Sequence, residues 1–209
     1  MVPLAPRSHA FVYLASASPR RAQLLDQIGV PHRPLVATRQ ENVERLEEER
    51  SGERPEDYVR RVTLAKLLAA RARHRARGLP DAPILCADTT VALGRRILGK
   101  PADAEDAARM LRALAGRTHR VLSAVAVSCG AQSPLLVSVS HVRFAPLSER
   151  VIGAYVASGE PFGKAGAYAV QGRIAQWIER IEGSYSGIVG LPLHETRELL
   201  ARAAVAYAP

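Results

Sequence analysis

The stretch that decides the fold class spans residues 118–144 and reads THRVLSAVAVSCGAQSPLLVSVSHVRF. Two runs rich in strand-forming residues, 118–128 and 134–144, flank the short connection SCGAQS. Two such runs joined by a few turn residues are typical of an antiparallel β-hairpin. Strands and helices alternate elsewhere in the chain, which by itself would favour a parallel sheet. The hairpin argues against an all-parallel sheet, so we expect an α/β fold with a mixed, twisted sheet flanked by helices.

The other elements follow from hydrophobic spacing and from capping residues. Pro19 suits the first position of a helix and Gly29 suits its exit. The predicted helices span residues 19–29, 55–77, 103–115, 148–157 and a last segment that ends near Ala204, and the predicted strands span residues 11–16, 33–37, 82–93 and 176–181.

Length and composition indicate one large domain or two closely joined lobes. The chain has 209 residues, of which 47% are hydrophobic, and this suffices for a substantial core. We expect residues 1–10 to form a flexible leader and residues 11–209 to form a single domain. The charged segment 37–59 is expected to be a mobile lid or a solvated face.

Cysteine usage and hydropathy bear on location. Cys86 and Cys129 are the only cysteines, and they lack CxxC spacing, so we expect neither a disulfide nor a zinc site. No apolar run approaches the roughly 20 residues that span a bilayer. The first ten residues also lack the apolar segment of a secretory signal. These features predict a cytoplasmic protein without a membrane partner.

The basic residues indicate an anionic partner. The net charge is +9, which favours nucleic acids, anionic membrane surfaces or small phosphates. Aromatic residues make up only 5% of the chain, which argues against a nucleic-acid partner. Lys66, Lys100 and Lys164 are the only lysines among 29 basic residues. They are either remnants in an arginine-rich sequence or compact cations suited to a phosphate oxygen.

The segment SASPRR, residues 16–21, joins the first predicted strand to the first predicted helix. Arg20 and Arg21 lie where the helix dipole disfavours a cation by roughly 0.3–1 kcal/mol. A bound phosphate would offset this cost, because the helix start offers free N–H groups and the guanidinium groups add charged hydrogen bonds. Ser16 and Ser18 would add hydroxyl groups. The alternative is that Ser18 caps the helix while the arginines point into water.

Asp88 interrupts the apolar strand at 82–93, APILCADTTVAL. An unpaired carboxylate is costly to bury, so we expect Asp88 at the mouth of the strand beside a metal ion, a water molecule or a base. It could act as a general base or hold a divalent cation. An aspartate that caps a turn is the alternative.

Five segments in this order resemble the Maf family of nucleotide pyrophosphatases: SASPRRAQLL, ADTTVAL, ILGKPADAEDAARML, ASGEPFGKAGAYAVQG and GSYSGIVGLPLHET. The resemblance covers residues 11–202. It implies hydrolysis of a nucleoside triphosphate between the α and β phosphates, with Mg²⁺ or Mn²⁺ as cofactor. It also implies an α/β fold of the Maf and inosine-triphosphatase type, with a cleft between two lobes, and a homodimer.

The resemblance also assigns roles to residues. Asp88 corresponds to the catalytic carboxylate, as a base or as a metal ligand. Glu41 and Glu160 correspond to further metal ligands, with solvated glutamates as the alternative. The candidate substrate-binding residues are Ser16, Ser18, Arg20, Arg21, Lys66, Lys100 and Lys164.

Base specificity is implied by three positions, Arg20, Thr89 and Gln171, which resemble the branch that acts on dTTP and UTP. A glutamine amide can both donate and accept, which matches the N3–H and a carbonyl of uracil or thymine. We therefore expect an enzyme that acts on dTTP and UTP. The alternatives are a pyrophosphatase for 7-methyl-GTP or another modified purine, and a non-enzymatic regulator of cell division that binds nucleic acid.

Overall fold

The computed structural model describes residues 8–38, 41–128 and 130–207. Its strands are β1 (Val12–Leu14), β2 (His32–Pro34), β3 (Ile84–Leu93), β4 (Arg96–Leu98), β5 (Thr118–Val127), β6 (Leu135–Phe144) and β7 (Ile178–Glu182). Its helices are α1 (Pro19–Gln27), α2 (Pro55–Ala76), α3 (Ala104–Leu114), α4 (Glu149–Ala157), α5 (Tyr185–Val189) and α6 (Leu193–Arg202). Short 3-10 turns occur at Val43–Glu47, Ala165–Ala167 and Arg173–Trp177. In the described ranges, no helix is both long enough and apolar enough to cross a membrane.

The strands form one mixed sheet in the order β2-β1-β3-β5-β6-β7, with β4 paired to β3. β1 runs parallel to β2 and β3, whereas β3, β5, β6 and β7 pair in antiparallel fashion. β5 and β6 pair from Thr118 opposite Arg143 to Ala126 opposite Leu135. The hairpin predicted for residues 118–144 is therefore present, and the mixed α/β fold is confirmed.

Successive residues of β3 face two different sets of helices. Leu85 and Ala87 belong to the larger core, together with residues of α1, α3, α4 and α6. Cys86 belongs to a smaller cluster with residues of α2. Because side chains alternate across a strand, Asp88 lies on the α2 face and Thr89 lies on the opposite face.

One edge of β3 is open along the middle of the strand. β1 pairs with Ile84 and Leu85, and β4 pairs with residues 91–93, so no described strand borders residues 86–90 on this edge. Asp88 lies in this gap and pairs across the other edge with Ala124 of β5. The expectation that Asp88 lies at the mouth of the strand is wrong, because the space beside it arises where β1 ends.

Two other expectations concern the start of the chain and the cap of α1. Residues 1–7 of the predicted leader lie outside the described residues, as does Cys129. His9, within the same predicted leader, pairs with Val205, so this part of the chain is held against the domain. Ser18 is the N-cap residue of α1, but its side chain makes no capping hydrogen bond.

Candidate active site

A cavity of about 530 Å³ opens beside the gap in β3. Its wall combines the loop after β1, the 3-10 turn Val43–Glu47, α2, β3, the loop after β4 and α5. Nine of the residues selected from the sequence line it: Ser16, Ser18, Arg20, Arg21, Lys66, Asp88, Thr89, Lys100 and Lys164. The fold thus brings the cationic helix start, all three lysines and Asp88 to one site.

The loop before α1 holds one arginine against the protein interior. Arg21 Nε donates to the carbonyl oxygen of Gly190 at 2.8 Å, and Arg21 Nη1 donates to Ser16 Oγ at 3.1 Å. Burial lowers the pKa of Arg21 from its ordinary value, although Asp88 attracts its charge. Arg21 therefore ties the start of α1 to α5, and the alternative in which it points into water is wrong.

Asp88, Lys66, Glu47 and Lys100 form a continuous chain of ion pairs. Lys66 extends from α2 over the face of β3 that carries Asp88. Its Nζ donates to Asp88 Oδ1 at 2.6 Å and to Glu47 Oε1 at 2.7 Å. The second oxygen of Glu47 accepts from Lys100 Nζ at 2.7 Å. Every charge in the chain has a neighbour of opposite sign, which offsets the cost of burying Lys66 and Asp88.

Burial and charge act in opposite directions on this chain. Burial alone would lower the pKa of Lys66, but Asp88 and Glu47 outweigh it and raise the pKa above its usual value. Burial alone would raise the pKa of Glu47, but Lys66 and Lys100 outweigh it and lower the pKa. Lys66 and Glu47 are therefore both charged at neutral pH.

Lys164 reaches the cavity from the loop after α4. Its Nζ donates to the carbonyl oxygen of Glu160 and, at 3.4 Å, to that of Phe162. Burial lowers the pKa of Lys164, and the charge of Arg20 lowers it further. Two cations from distant parts of the chain thus influence each other at the cavity.

Gly166 fixes this loop against the loop that carries Lys100. Its N–H donates to the carbonyl oxygen of Gly99 at 3.0 Å. Its φ of +70° lies in the left-handed region, and a Cβ there would meet Val91 Cγ1 at 2.8 Å. Only glycine fits this position unless the Val91 side chain shifts, so Gly166 permits the close approach of the two loops that carry Lys100 and Lys164.

The two predicted glutamate ligands do not lie in the described lining of the cavity. Glu41 accepts from Arg73 Nε at 2.7 Å, and this hydrogen bond lowers the pKa of Glu41 to about 2. Glu160 accepts from the backbone N–H of Arg173 at 2.9 Å. Each carboxylate is bound to a partner outside the ion-pair chain. The structure therefore does not bring Glu41 and Glu160 together with Asp88.

Two of the three predicted specificity residues, Arg20 and Thr89, line the cavity. Thr89 Oγ1 shares a hydrogen bond with Ser123 Oγ at 2.9 Å, on the face of β3 opposite α2. Gln171 is exposed and is not part of the described lining. The amide that was expected to recognise the base is therefore not placed at the cavity.

Another part of the cavity wall is apolar and consists mainly of Val91, Val121, Tyr168, Val170, Ile188 and Val189. The hydroxyl group of Tyr168 shares a hydrogen bond with His119 Nε2 at 2.7 Å. Burial lowers the pKa of His119 to about 4, so its ring is neutral at pH 7. A cavity with a charged part and an apolar part suits a ligand that combines a phosphate chain with a flat ring.

Glu47 was not identified from the sequence. It lies in ENVERLEEER, residues 41–50, where several glutamates have similar surroundings and no motif or periodicity distinguishes one of them. Its role becomes visible only because the fold lays this segment beside α2 and the loop after β4. No sequence signal in this chain would have separated Glu47 from its neighbours.

The carboxylates of the cavity can be compared with the ligands that a divalent metal ion requires. Among the described residues, no group of three or more His, Cys, Asp or Glu side chains could hold a metal ion. Asp88 and Glu47 nevertheless both contact Lys66 Nζ, at 2.6 and 2.7 Å. Mg²⁺ is commonly bound through one or two carboxylates together with substrate phosphates. Asp88 and Glu47 thus supply the one or two carboxylates that such an ion would take, and a phosphate chain would have to supply further ligands.

Relatives of the chain cover almost its whole length. A Polaromonas protein named dTTP/UTP pyrophosphatase is 61% identical over 193 residues, which are 92% of this chain and 96% of that protein. A Burkholderia pseudomallei protein of the same name is 58% identical over 202 residues, 96% of this chain and 97% of its own. A Cupriavidus metallidurans protein with the same name is 58% identical over 93% of this chain and 97% of that protein. The family model for Maf-like proteins matches residues 11–203, so the chain belongs to the Maf family.

Proposed function

We propose that this protein hydrolyses dTTP and UTP to the nucleoside monophosphate and pyrophosphate. One observation carries the proposal: the N-terminus of α1, its two arginines, three lysines and Asp88 all line one cavity. The shared name of the relatives supports dTTP and UTP as substrates. No feature of the described structure favours a modified purine or a purely regulatory role.

The cations of the cavity bind the phosphate chain. The N-terminus of α1 offers free N–H groups, and Arg20, Lys66, Lys100 and Lys164 add positive charge around the same cavity. Phosphoryl transfer is catalysed mainly by positioning and by charge stabilisation. These groups therefore stabilise both the bound triphosphate and the charge that develops on the leaving pyrophosphate.

Asp88 is the general base in this proposal. A water oxygen forms a bond to the α phosphorus, and the bond from that phosphorus to the oxygen bridging the β phosphate breaks. Pyrophosphate leaves with the electrons of the broken bond, and Asp88 accepts the proton of the attacking water. Lys66 orients Asp88 through the hydrogen bond of 2.6 Å to Oδ1.

We also propose that Mg²⁺ or Mn²⁺ is the cofactor. Asp88 would hold it together with substrate phosphate oxygens, which is the alternative to its role as general base. When bound, such an ion neutralises negative charge on the phosphate chain. The support is the donor set of the cavity, which suits a metal ion that shares its ligands with phosphate. Hydrolysis should stop in EDTA and return with either ion, and full activity in EDTA would contradict the proposal.

A panel of triphosphates tests the substrate and the bond that is cleaved. The protein is incubated with Mg²⁺ and with dTTP, UTP or 7-methyl-GTP, and the products are identified by phosphorus NMR. We expect pyrophosphate from dTTP and UTP at a higher rate than from 7-methyl-GTP. Orthophosphate as the first product would contradict the cleavage site, and a preference for 7-methyl-GTP would contradict the substrate class.

Replacement of Asp88 by asparagine tests the general base. Removal of a general base typically lowers the rate by about 10²–10⁴-fold, so the D88N variant should lose nearly all activity while it remains folded. Asp57→Asn is the matched control, because Asp57 is exposed in the first turn of α2 and lies outside the described cavity wall. Equal activity of the two variants would remove Asp88 from the mechanism.

We further propose a cytoplasmic homodimer that does not use nucleic acid as a partner. The concentration of cations in one cavity of small-molecule size and the low aromatic content of the chain argue against nucleic acid as the partner, and the homodimer is what the resemblance to the Maf family implies. Sedimentation at micromolar concentration should give the dimer mass. Salt-sensitive binding to a DNA oligonucleotide without nucleotide hydrolysis would favour the regulatory alternative instead.

A further inference from the structure

Glu47 bridges two lysines of the cavity wall. Its two carboxylate oxygens accept hydrogen bonds from Lys66 Nζ and Lys100 Nζ, each at 2.7 Å. Its side chain is 25% exposed, and Asp88 and Glu47 supply all the carboxylates of the described cavity wall. A single anion thus spans two of the three lysines proposed to bind phosphate.

The backbone around Glu47 is fixed independently of this carboxylate. The hydroxyl group of Tyr58 donates to the carbonyl oxygen of Glu47 at 2.8 Å. Arg61 donates to the carbonyl oxygens of Leu46 and Glu48 at 3.3 and 2.9 Å. The segment was expected to be a mobile lid or a solvated face, and the structure binds its residues 46–48 to α2. Rotation of the Glu47 side chain can therefore free both lysines without displacing the segment.

Arg61 is itself held in place. Its Nε and Nη2 donate to the two carboxylate oxygens of Glu53 at 2.6 and 2.7 Å. Such a two-point contact fixes the orientation of a guanidinium group. The anchor of the segment thus consists of Tyr58, Arg61 and Glu53, and Glu47 contributes only its backbone carbonyl to it.

We propose that Glu47 is a resident anion that takes the place of a substrate phosphate between Lys66 and Lys100 until a phosphate chain displaces it. The proposal rests on the proposed function, because it assigns both lysines to phosphate. A carboxylate that bridges two ammonium groups makes the charged hydrogen bonds that phosphate oxygens would make, so the two anions compete. This competition weakens the binding of every anion at the two lysines. A chain of several phosphates makes more contacts with the cavity, so it displaces Glu47 more readily than a single phosphate does.

The test measures anion binding without hydrolysis. Inorganic pyrophosphate is titrated by calorimetry into the protein in EDTA, for the wild type and for Glu47→Gln. Glutamine retains the shape of the side chain but not its charge, so pyrophosphate should bind about tenfold more tightly to this variant. The affinity for orthophosphate should increase by a larger factor, which reduces the discrimination between the two ligands.

Glu48→Gln is the matched control, because it removes the same charge from the adjacent residue. The Glu48 side chain lies 4.0 Å from Arg45, and both side chains are largely exposed. We expect pyrophosphate affinity within about twofold of the wild type, since exposed charges are screened. Glu47→Ala provides a second variant, which should show the same gain as Glu47→Gln, with folding checked by thermal unfolding.

Unchanged or weaker binding of pyrophosphate by both Glu47 variants would overturn the proposal and make Glu47 a residue that merely orders the lysines. An equal gain in Glu48→Gln would also overturn it, because the effect would then reflect net charge. Hydrolysis of dTTP by the wild type is measured separately. Its absence would refute the proposed function whatever the titrations show, and its presence would leave the titrations to decide the role of Glu47.

Discussion

Replacement of Lys66 by methionine tests whether the ion-pair chain stabilises the fold as well as the site. The side chains of Lys66 and Asp88 are 14% and 10% exposed, so the variant leaves a largely buried carboxylate without its cation. Removal of one partner from a buried pair costs about 3–5 kcal/mol. The cavity admits water and Glu47 retains Lys100, so we expect a smaller loss of about 2 kcal/mol in the free energy of unfolding. For a chain of this size, that loss lowers Tm by about 4–8 °C.

Thermal and urea unfolding followed by circular dichroism measure this loss. Lys100→Met is the matched control, because Lys100 is 46% exposed and its partner Glu47 keeps the bond to Lys66. The control should lose less than about 1 kcal/mol, as expected for an exposed pair. The activity of both variants is expected to fall, so stability is the measurement that separates them.

The pH dependence adds a second check. The folded protein raises the pKa of Lys66 above the ordinary value of 10.5. The stabilisation from its charge is therefore fully present below pH 10.5 and is lost as the pH rises through the raised pKa. The difference between wild type and Lys66→Met should be constant from pH 7 to 9 and should shrink above pH 10.5. Equal losses in the two variants, or a difference that grows in alkali, would refute the reasoning.

Two further predictions concern the surroundings of the cavity. Gly166→Ala should lower the free energy of unfolding by about 2–3 kcal/mol, because its Cβ would meet Val91 at 2.8 Å and the residue would also bear the cost of a positive φ. Gly163→Ala is the control, because Gly163 has a φ of +72° but open space around it, and it should lower the free energy of unfolding by only about 1–2 kcal/mol. Comparable losses in urea unfolding would contradict the close packing. Glu41→Gln should cost about 1 kcal/mol at pH 7, since the hydrogen bond from Arg73 lowers the pKa of Glu41 to about 2. This stabilisation is present above pH 4.5 and is lost as the pH falls towards 2, so a difference in stability that stayed constant over that range would contradict it.

The sequence predicted the framework of the site because that framework depends on local patterns. The runs on both sides of SCGAQS have the composition of paired strands, and they pair as the hairpin of β5 and β6. The SASPRR segment has the proline of a helix start, and α1 begins at Pro19. Asp88 stands out because a charged residue in an apolar strand requires a partner, which Lys66 provides.

The partners themselves depend on long-range geometry and could not be predicted. Nothing near Glu41 in the sequence indicates that Arg73, far along α2, binds it instead of leaving it for a metal ion. Nothing distinguishes Glu47 among the neighbouring glutamates until the segment is placed beside Lys66 and Lys100. A resemblance assigns a role to a position, but the contacts of that position depend on the surrounding chain.

The interrupted border of β3 also bears on the solubility of the protein. An unpaired strand edge is where one chain commonly adds to another and begins an aggregate. Residues 86–90 extend over only roughly 17 Å, and β1 and β4 bound them at either end. An invading strand would collide with these two neighbours, a limit that does not apply to a small molecule. The opening that admits a small molecule is thus too short to nucleate assembly between chains.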